Sequence, residues 1–291
     1  MTKIGMIGIG LMGHGIATNL QKHGHALTLL DHPGNQPLDA LKTGGATTAD
    51  TPMAVAQASD IVILCVTGSP QVEAVLTGDV GVLKGLKPGS IVIDCSTAVP
   101  ASTLKLAELV KAAGGRFMDA AMTRTPKEAA AGKLNLLVGA DADLLATCHP
   151  ILACFAENIV HAGPVGAGHQ MKLLHNYVSL GSVALLSEAA ACARRAGVSG
   201  ETFVQVLSVG GGWGAALDRI KPFVTAGDSS NLRFSVSNAL KDLTYYNQMA
   251  SDTQAHHDIA QAVQNTLDWA CKAGDPNAFL PELIGYLAEK S

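Results

Sequence analysis

Three glycines in the run Gly8-Ile9-Gly10-Leu11-Met12-Gly13 stand between a short apolar segment, residues 4–8, and a segment of helical periodicity, residues 11–23. That placement leaves few architectures open. A strand must end in a turn too tight for a side chain, and a helix must begin at once. The first glycine permits the turn, the second lets an external group reach the backbone, and the third lets helix and strand pack closely. The helix start then presents unpaired N–H groups and a partial positive charge, which suits a pyrophosphate. Asp31 closes the next strand-like run, residues 26–31. A carboxylate about 20 residues past such a loop accepts hydrogen bonds from an adenosine ribose and repels a 2′-phosphate. No arginine follows it; the next residues are His32, Pro33 and Gly34. The expectation is a dinucleotide site built from Gly8, Gly10, Leu11, Met12, Gly13 and Asp31, with NAD favoured over NADP. A purely structural reading makes Asp31 a turn residue, and the sequence leaves both readings open.

The first half of the chain continues the alternation. Strand-like runs occur at residues 60–66, 90–94, 116–122, 134–138 and 158–161, and helical segments at 53–58, 101–113 and 143–151. Gly68-Ser69-Pro70 reads as a turn. Strands alternating with helices predict a mostly parallel sheet covered on both faces, an α/β Rossmann domain over residues 1–162. The pattern changes after Gly163-Pro164. From 167 to 196 the apolar positions keep a helical period without proline, which predicts a spine helix of about 45 Å. No convincing strand follows, so residues 163–291 are expected to form an all-α substrate and oligomerisation domain joined by that helix.

Composition narrows the function. The 291 residues are 48% apolar, enough for a sizeable core, and the formal charge is −4. No basic run suggests nucleic acid, and no apolar stretch reaches the roughly 18 residues that span a bilayer. Lys3 and the apolar residues after it imitate an export signal, but Gly8, Gly10 and Gly13 interrupt them, so the cytoplasm is the expected compartment. Six cysteines form no C-x-x-C pair, and His256-His257 has no carboxylate cluster beside it; neither disulfides nor a metal are expected.

Hydride transfer at a carbonyl needs a proton donor or acceptor at the oxygen. The best candidate is Lys172, in a glycine-rich entry to the spine helix, Gly163-Pro164-Val165-Gly166-Ala167-Gly168-His169-Gln170-Met171-Lys172-Leu173-Leu174-His175-Asn176. Asn176 lies four residues on and Ser179 one turn further, so all three share a stripe. Met171, Leu173 and Leu174 are expected to desolvate the ammonium, which lowers a lysine pKa toward neutrality. A solvated lysine on an amphipathic helix is the plainer alternative.

With these motifs in order, the chain resembles the β-hydroxyacid dehydrogenases, a family that includes 3-hydroxyisobutyrate dehydrogenases, along essentially its whole length. The resemblance rests on the glycine loop, on Asp119-Ala120-Ala121-Met122-Thr123-Arg124-Thr125 at the substrate-motif position, on residues 163–176, and on Lys241-Asp242-Leu243. It implies Lys172 as catalyst, Asn176 as substrate anchor, Lys241 near the nicotinamide, and cofactor contacts from Val66, Thr67 and Thr97. The substrate motif departs from the usual D-A-P-V-S-G-G. Thr123 keeps the hydroxyl, but Arg124-Thr125 replace two glycines. A guanidinium there suits an anion, and the pair resembles sulfolactaldehyde reductases of the same family, as does the stretch 176–179. Two residues depart from those enzymes: His175 stands in place of a second asparagine, and Thr123 in place of glycine. An ion pair from Arg124 to Glu128 at i+4 is the structural alternative.

The sequence thus points to an NAD-dependent oxidoreductase acting on a small anionic 3-hydroxy acid or its semialdehyde. Thr123, Arg124, Thr125, Asn176 and Ser179 are the expected substrate residues. A sulfolactaldehyde reductase is the alternative within the family, and a catalytically silent NAD-sensing module the alternative from another class. A long spine helix with an apolar stripe predicts a homodimer or homotetramer.

Overall fold

The computed structural model describes residues 2–289. The outer ends of the two expected domains, Met1 and Ser291, lie outside them. The described chain forms two compact units, which divide between Lys172 and Leu173.

In the first unit the order is β1 (Lys3–Ile7), α1 (Leu11–Lys22), β2 (Ala26–Leu30), α2 (Asp39–Thr43), β3 (Thr47–Ala49), α3 (Pro52–Gln57), β4 (Ile61–Leu64), α4 (Ser69–Thr77), β5 (Ile91–Asp94), α5 (Pro100–Ala112), β6 (Arg116–Thr123), α6 (Pro126–Ala130), β7 (Leu134–Gly139), α7 (Ala142–Leu152) and β8 (Ala156–Gly163). The eight strands make one sheet in the order β3-β2-β1-β4-β5-β6-β7-β8. All neighbours are parallel except β6 and β7. The strands β1, β4 and β5 read as apolar runs because both faces of the sheet are covered. Ile4 and Met6 enter one core with Ile16 and Leu20 of α1, while Ile7 enters another with Val55 of α3 and Val72 of α4.

The expected mostly parallel sheet is present. Four elements depart from the reading of the sequence: α2, β3, α4 and α6. Residues 69–77 form α4 where Gly68-Ser69-Pro70 looked like a turn; the proline occupies the first turn of the helix, where its missing N–H costs nothing. β3 is a three-residue edge strand without an apolar run.

The helix α8 (Ala167–Arg195) is the expected spine and carries the chain from the first unit into the second. After it come α9 (Gly200–Ser208), α10 (Ala215–Ala226), α11 (Val236–Asp252), α12 (Asp258–Ala273) and α13 (Leu283–Glu289). Leu180 and Val183 of α8 pack in one core with Leu217, Ile220, Leu243 and Leu267. The first turn of α8 falls in the first unit because it is bonded to β6, as described below. No helix among the described residues is long and apolar enough to cross a membrane.

Candidate active site

The glycine loop is built as its spacing requires. Gly8 has φ +93°, and a Cβ there would collide with the Cys65 carbonyl of β4's end; one on Gly13 would collide with the Gly8 carbonyl. Gly10 differs, because nothing lies within 4 Å of where its Cβ would stand. The loop therefore leaves open space at the residue that caps α1, and no side chain bonds the helix start. Leu11 is exposed and Met12 half-buried. Their N–H groups and that of Gly13 are orphan donors of a helix start, which fits a pyrophosphate.

The segment after β2 is tied to this loop. Asn35 Oδ1 accepts from Ile9 N at 3.3 Å, Asn35 Nδ2 donates to Leu30 O at 2.9 Å, and Gln36 N donates to Ile9 O at 2.8 Å. Asp31, at the end of β2, keeps an exposed carboxylate 4.0 Å from the Lys42 ammonium. At the ends of the next strands, Val66 N donates to Ser96 Oγ at 3.0 Å, and Ser96 N donates to Asp94 Oδ1 at 2.9 Å. Gly8, Asp31, Val66, Thr67 and Thr97 thus follow the carboxyl ends of β1, β2, β4 and β5, which are consecutive in the sheet. Ligands bind at that edge of an open parallel sheet.

The substrate motif begins within β6, beside β5, and its last two residues, Arg124 and Thr125, follow the strand. Thr123 is buried and its hydroxyl accepts from Asn135 Nδ2 at 3.1 Å. Arg124 has φ +81°, a left-handed conformation unusual for a side chain of its size. Its guanidinium is held by Glu157 Oε2 and the Lys133 carbonyl, both at 2.5 Å. The cation expected to grip a substrate anion is engaged with β8. The pairing with Glu128 does not form either, because Glu128 closes a capping box with Thr125 at the start of α6. The hydrogen bond donated by the Thr125 hydroxyl holds the Glu128 carboxyl below its ordinary range. The helix α6 in turn rests on α1. Asn19 Nδ2 donates to Ala129 O at 2.9 Å, and a Cβ on Gly15 would stand 2.6 Å from the Ala129 carbonyl carbon. Gly15 and Asn19, which carry no motif, set the approach of the substrate loop to the glycine helix.

A buried polar network holds the first turn of α8. Asp119 of β6 is fully buried. Its Oδ1 accepts from Gly166 N at 2.6 Å and its Oδ2 from His169 N at 2.7 Å. Gly139 and Gly168 make room, since a Cβ on either would stand within 2.8 Å of an Asp119 oxygen. The His169 ring, also fully buried, shares a 2.7 Å hydrogen bond between Nδ1 and Thr103 Oγ1, and its Nε2 lies 3.9 Å from Asp94 Oδ2. Burial pushes the Asp94 carboxyl above its ordinary range, against opposing contributions from His169 and Ser96. Burial likewise pushes the Cys95 thiol well up, so it is no nucleophile at neutral pH.

Lys172 stands one turn beyond His169 and is half-buried. Of the three apolar neighbours expected to cover it, only Leu173 is buried; Met171 is 41% and Leu174 40% exposed. Successive helical residues point about 100° apart, so these neighbours face away from Lys172. Within the second unit, Asn176 is buried, and its Nδ2 donates to Asp242 Oδ2 at 2.6 Å. His175 Nδ1 and Asn176 Oδ1 are 2.9 Å apart. Asp242 Oδ1 pairs with Lys241 Nζ at 3.2 Å. Asp242 therefore joins two motifs that the sequence separates by 66 positions. Ser179 Oγ accepts from Arg219 Nη1 at 2.9 Å. Asp242, Arg219, Asp119 and His169 are not among the site residues expected from the sequence; the hydrogen bonds that tie the first three to the site reach partners at least 40 residues away.

Comparison with known proteins agrees with this fold. Residues 3–163 match the family described as the NAD binding domain of 6-phosphogluconate dehydrogenase. Residues 166–286 match the NAD-binding family of NADP-dependent 3-hydroxyisobutyrate dehydrogenase. The chain is 30% identical over 296 residues to the mitochondrial 3-hydroxyisobutyrate dehydrogenase of Mus musculus, covering 99% of this chain and 88% of that one. It is 32% identical over 275 residues to the 3-sulfolactaldehyde reductase of Escherichia coli, covering 94% and 92%. The solved structure of a Mycobacterium tuberculosis 3-hydroxyisobutyrate dehydrogenase with L-serine superposes with a TM-score of 0.86 at 24% identity, covering 99% of both chains, a likeness of fold. An NAD-type glycine loop, a doubly wound sheet, a helical second unit and these relatives together place the chain in the β-hydroxyacid dehydrogenase family, as an NAD-binding oxidoreductase.

Proposed function

We propose that the protein interconverts a small anionic 3-hydroxy acid and its semialdehyde, with Lys172 as the proton-transfer group. The carrying observation is the way α8 is held. Asp119 bonds two backbone N–H groups of its entry, and Asp242 bonds Asn176 one turn past Lys172. Such fixing of a proton donor and its neighbour is what a transfer geometry demands.

NAD would be held by the N–H groups of Leu11, Met12 and Gly13 over the open space at Gly10, with Asp31 on the adenosine ribose and Val66, Thr67, Thr97 and Lys241 as further contacts. When bound, it supplies the hydride acceptor in oxidation and the donor in reduction. In oxidation, neutral Lys172 Nζ takes the hydroxyl proton as the carbinol becomes a carbonyl. In reduction, the ammonium returns that proton to the forming alkoxide. Asn176 and Thr123 orient the substrate by hydrogen bonds. Arg124 and Thr125 shape the loop that presents Thr123, the one through Glu157 and the other by capping α6. The chain works in the cytoplasm as a homodimer or homotetramer. Val178 and Leu185, on one face of α8, are 65% and 67% exposed and suit a second copy.

The test is NADH oxidation by the purified protein with methylmalonate, succinate and tartronate semialdehydes and with sulfolactaldehyde. Turnover with one or more is expected. NADH binding without turnover of any would overturn the enzymatic reading.

A further inference from the structure

Lys172, Asn176 and Ser179 lie within about 60° of one another on α8 and span about 10 Å of its length. The structure adds a cation to this stripe. Arg219 of α10 directs Nη1 to Ser179 Oγ at 2.9 Å. Its neighbours Leu217 and Ile220 are buried in the core of the second unit, which fixes the backbone that carries it. The side chain is half-buried. Among the described residues Arg219 takes part in none of the ion pairs within 4.0 Å, whereas Arg116 and Arg124 are paired with Asp143 and Glu157. A serine hydroxyl orients a guanidinium without neutralising it. The fork has five N–H donors, and the bond to Ser179 occupies one. A partly desolvated cation with free donors and no counter-ion is stabilised by an anion that arrives from outside.

We infer that Arg219, oriented by Ser179, is the anion anchor of the substrate site. The substrate class is accordingly aldehydes and alcohols with a fully ionised acid group, carboxylate or sulfonate, and that group lies toward Ser179, away from Lys172. This rests on the dehydrogenase reading above and assigns to Arg219 the role that the sequence offered to Arg124.

The experiment compares kcat/KM for NADH-dependent reduction of matched aldehydes. The pairs are succinate semialdehyde with butanal and methylmalonate semialdehyde with 2-methylpropanal; sulfolactaldehyde is the sulfonate arm. Arg219→Gln should lower the anionic-to-neutral ratio about 10- to 100-fold, the range of a lost charge-assisted hydrogen bond. The loss should appear in KM rather than kcat. Arg219→Lys should restore part of the ratio, and Ser179→Ala should lower it about 3- to 10-fold. Arg194→Gln, which removes an exposed cation in the last turn of α8, should leave the ratio within about threefold. Binding of succinate and isethionate to the NADH complex, followed by calorimetry, should weaken in Arg219→Gln by the same factor. Whichever of these two anions binds more tightly distinguishes carboxylate from sulfonate. Three results overturn the proposal: a ratio unmoved in Arg219→Gln, equal losses on anionic and neutral aldehydes, or a ratio that falls with Arg194→Gln instead. A wild-type protein that turns over no aldehyde refutes the dehydrogenase reading separately, and the calorimetric comparison still decides whether Arg219 binds anions.

Discussion

Asp119→Asn isolates the anchor of the catalytic helix. The two carboxylate oxygens accept from Gly166 N at 2.6 Å and His169 N at 2.7 Å, at a fully buried site. Asparagine is nearly isosteric, so no cavity forms and β6 keeps its packing. One oxygen remains; the other becomes an NH2 group pointed at a backbone donor. One bond is lost with its partner left buried and unpaired, which costs about 1–3 kcal/mol, and the surviving bond loses its charge assistance. Removing the charge also relieves repulsion on buried Asp94, a small offset. The net loss is about 2–4 kcal/mol, or about 5–10 °C in the melting temperature of a unit this size. Lys172 stands three residues past His169, so the loosened turn should also lower kcat, about 10-fold or more, while NADH affinity changes less than about threefold. The assays are thermal melting by circular dichroism, NADH fluorescence titration and steady-state turnover. A variant that melts within 1 °C of wild type with unchanged kcat would refute the claim that Asp119 holds α8 in place.

Three further outcomes follow from the same geometry. Gly10→Ala should fold normally, because its Cβ meets nothing within 4 Å and its φ of −74° suits any residue, yet NADH affinity should fall more than about 30-fold by titration. Asp31→Ala should raise the NADPH-to-NADH ratio of kcat/KM about 10- to 100-fold, since it removes the repelling carboxylate and leaves Lys42, 4.0 Å away, to meet a 2′-phosphate. Asp94 titrates above its ordinary range when folded, chiefly through burial, so the native state holds that proton more tightly than the unfolded chain. Its contribution is complete below about pH 4 and is lost as pH rises through the folded value. Asp94→Asn should therefore gain stability relative to wild type between pH 4 and pH 8, read from urea midpoints at the two pH values.

The sequence was informative where one local pattern determined one element. The apolar runs of β1, β4 and β5 and the unbroken period of α8 are visible because each buries a continuous face. The glycine loop is legible because Gly8 and Gly13 each answer a steric demand, a Cβ there meeting a backbone carbonyl, while Gly10 keeps open space at the helix start. Short elements such as β3 and α6 bury too little to leave a period. The proline after Ser69 was a helix-start signal that also reads as a turn. Asp119 and Asp242 lay inside recognised motifs, yet their action depends on partners 47 to 66 positions away, which no local pattern encodes. Arg124 illustrates the converse. Its residue type suggested an anion site, but Glu157, 33 positions on in β8, takes its charge. Adjacency suggests Met171 and Leu174 as cover for Lys172, but helical geometry turns them outward.

The central claim is that Lys172 transfers the proton in an NAD-linked oxidoreduction. It is tested most directly by single-turnover NADH oxidation with the preferred semialdehyde in wild type and Lys172→Ala, side by side with NADH titration. The account predicts a rate lower by about 100-fold or more in the variant, within the range of general acid catalysis, and NADH affinity within about threefold of wild type. An undiminished single-turnover rate in Lys172→Ala would contradict it.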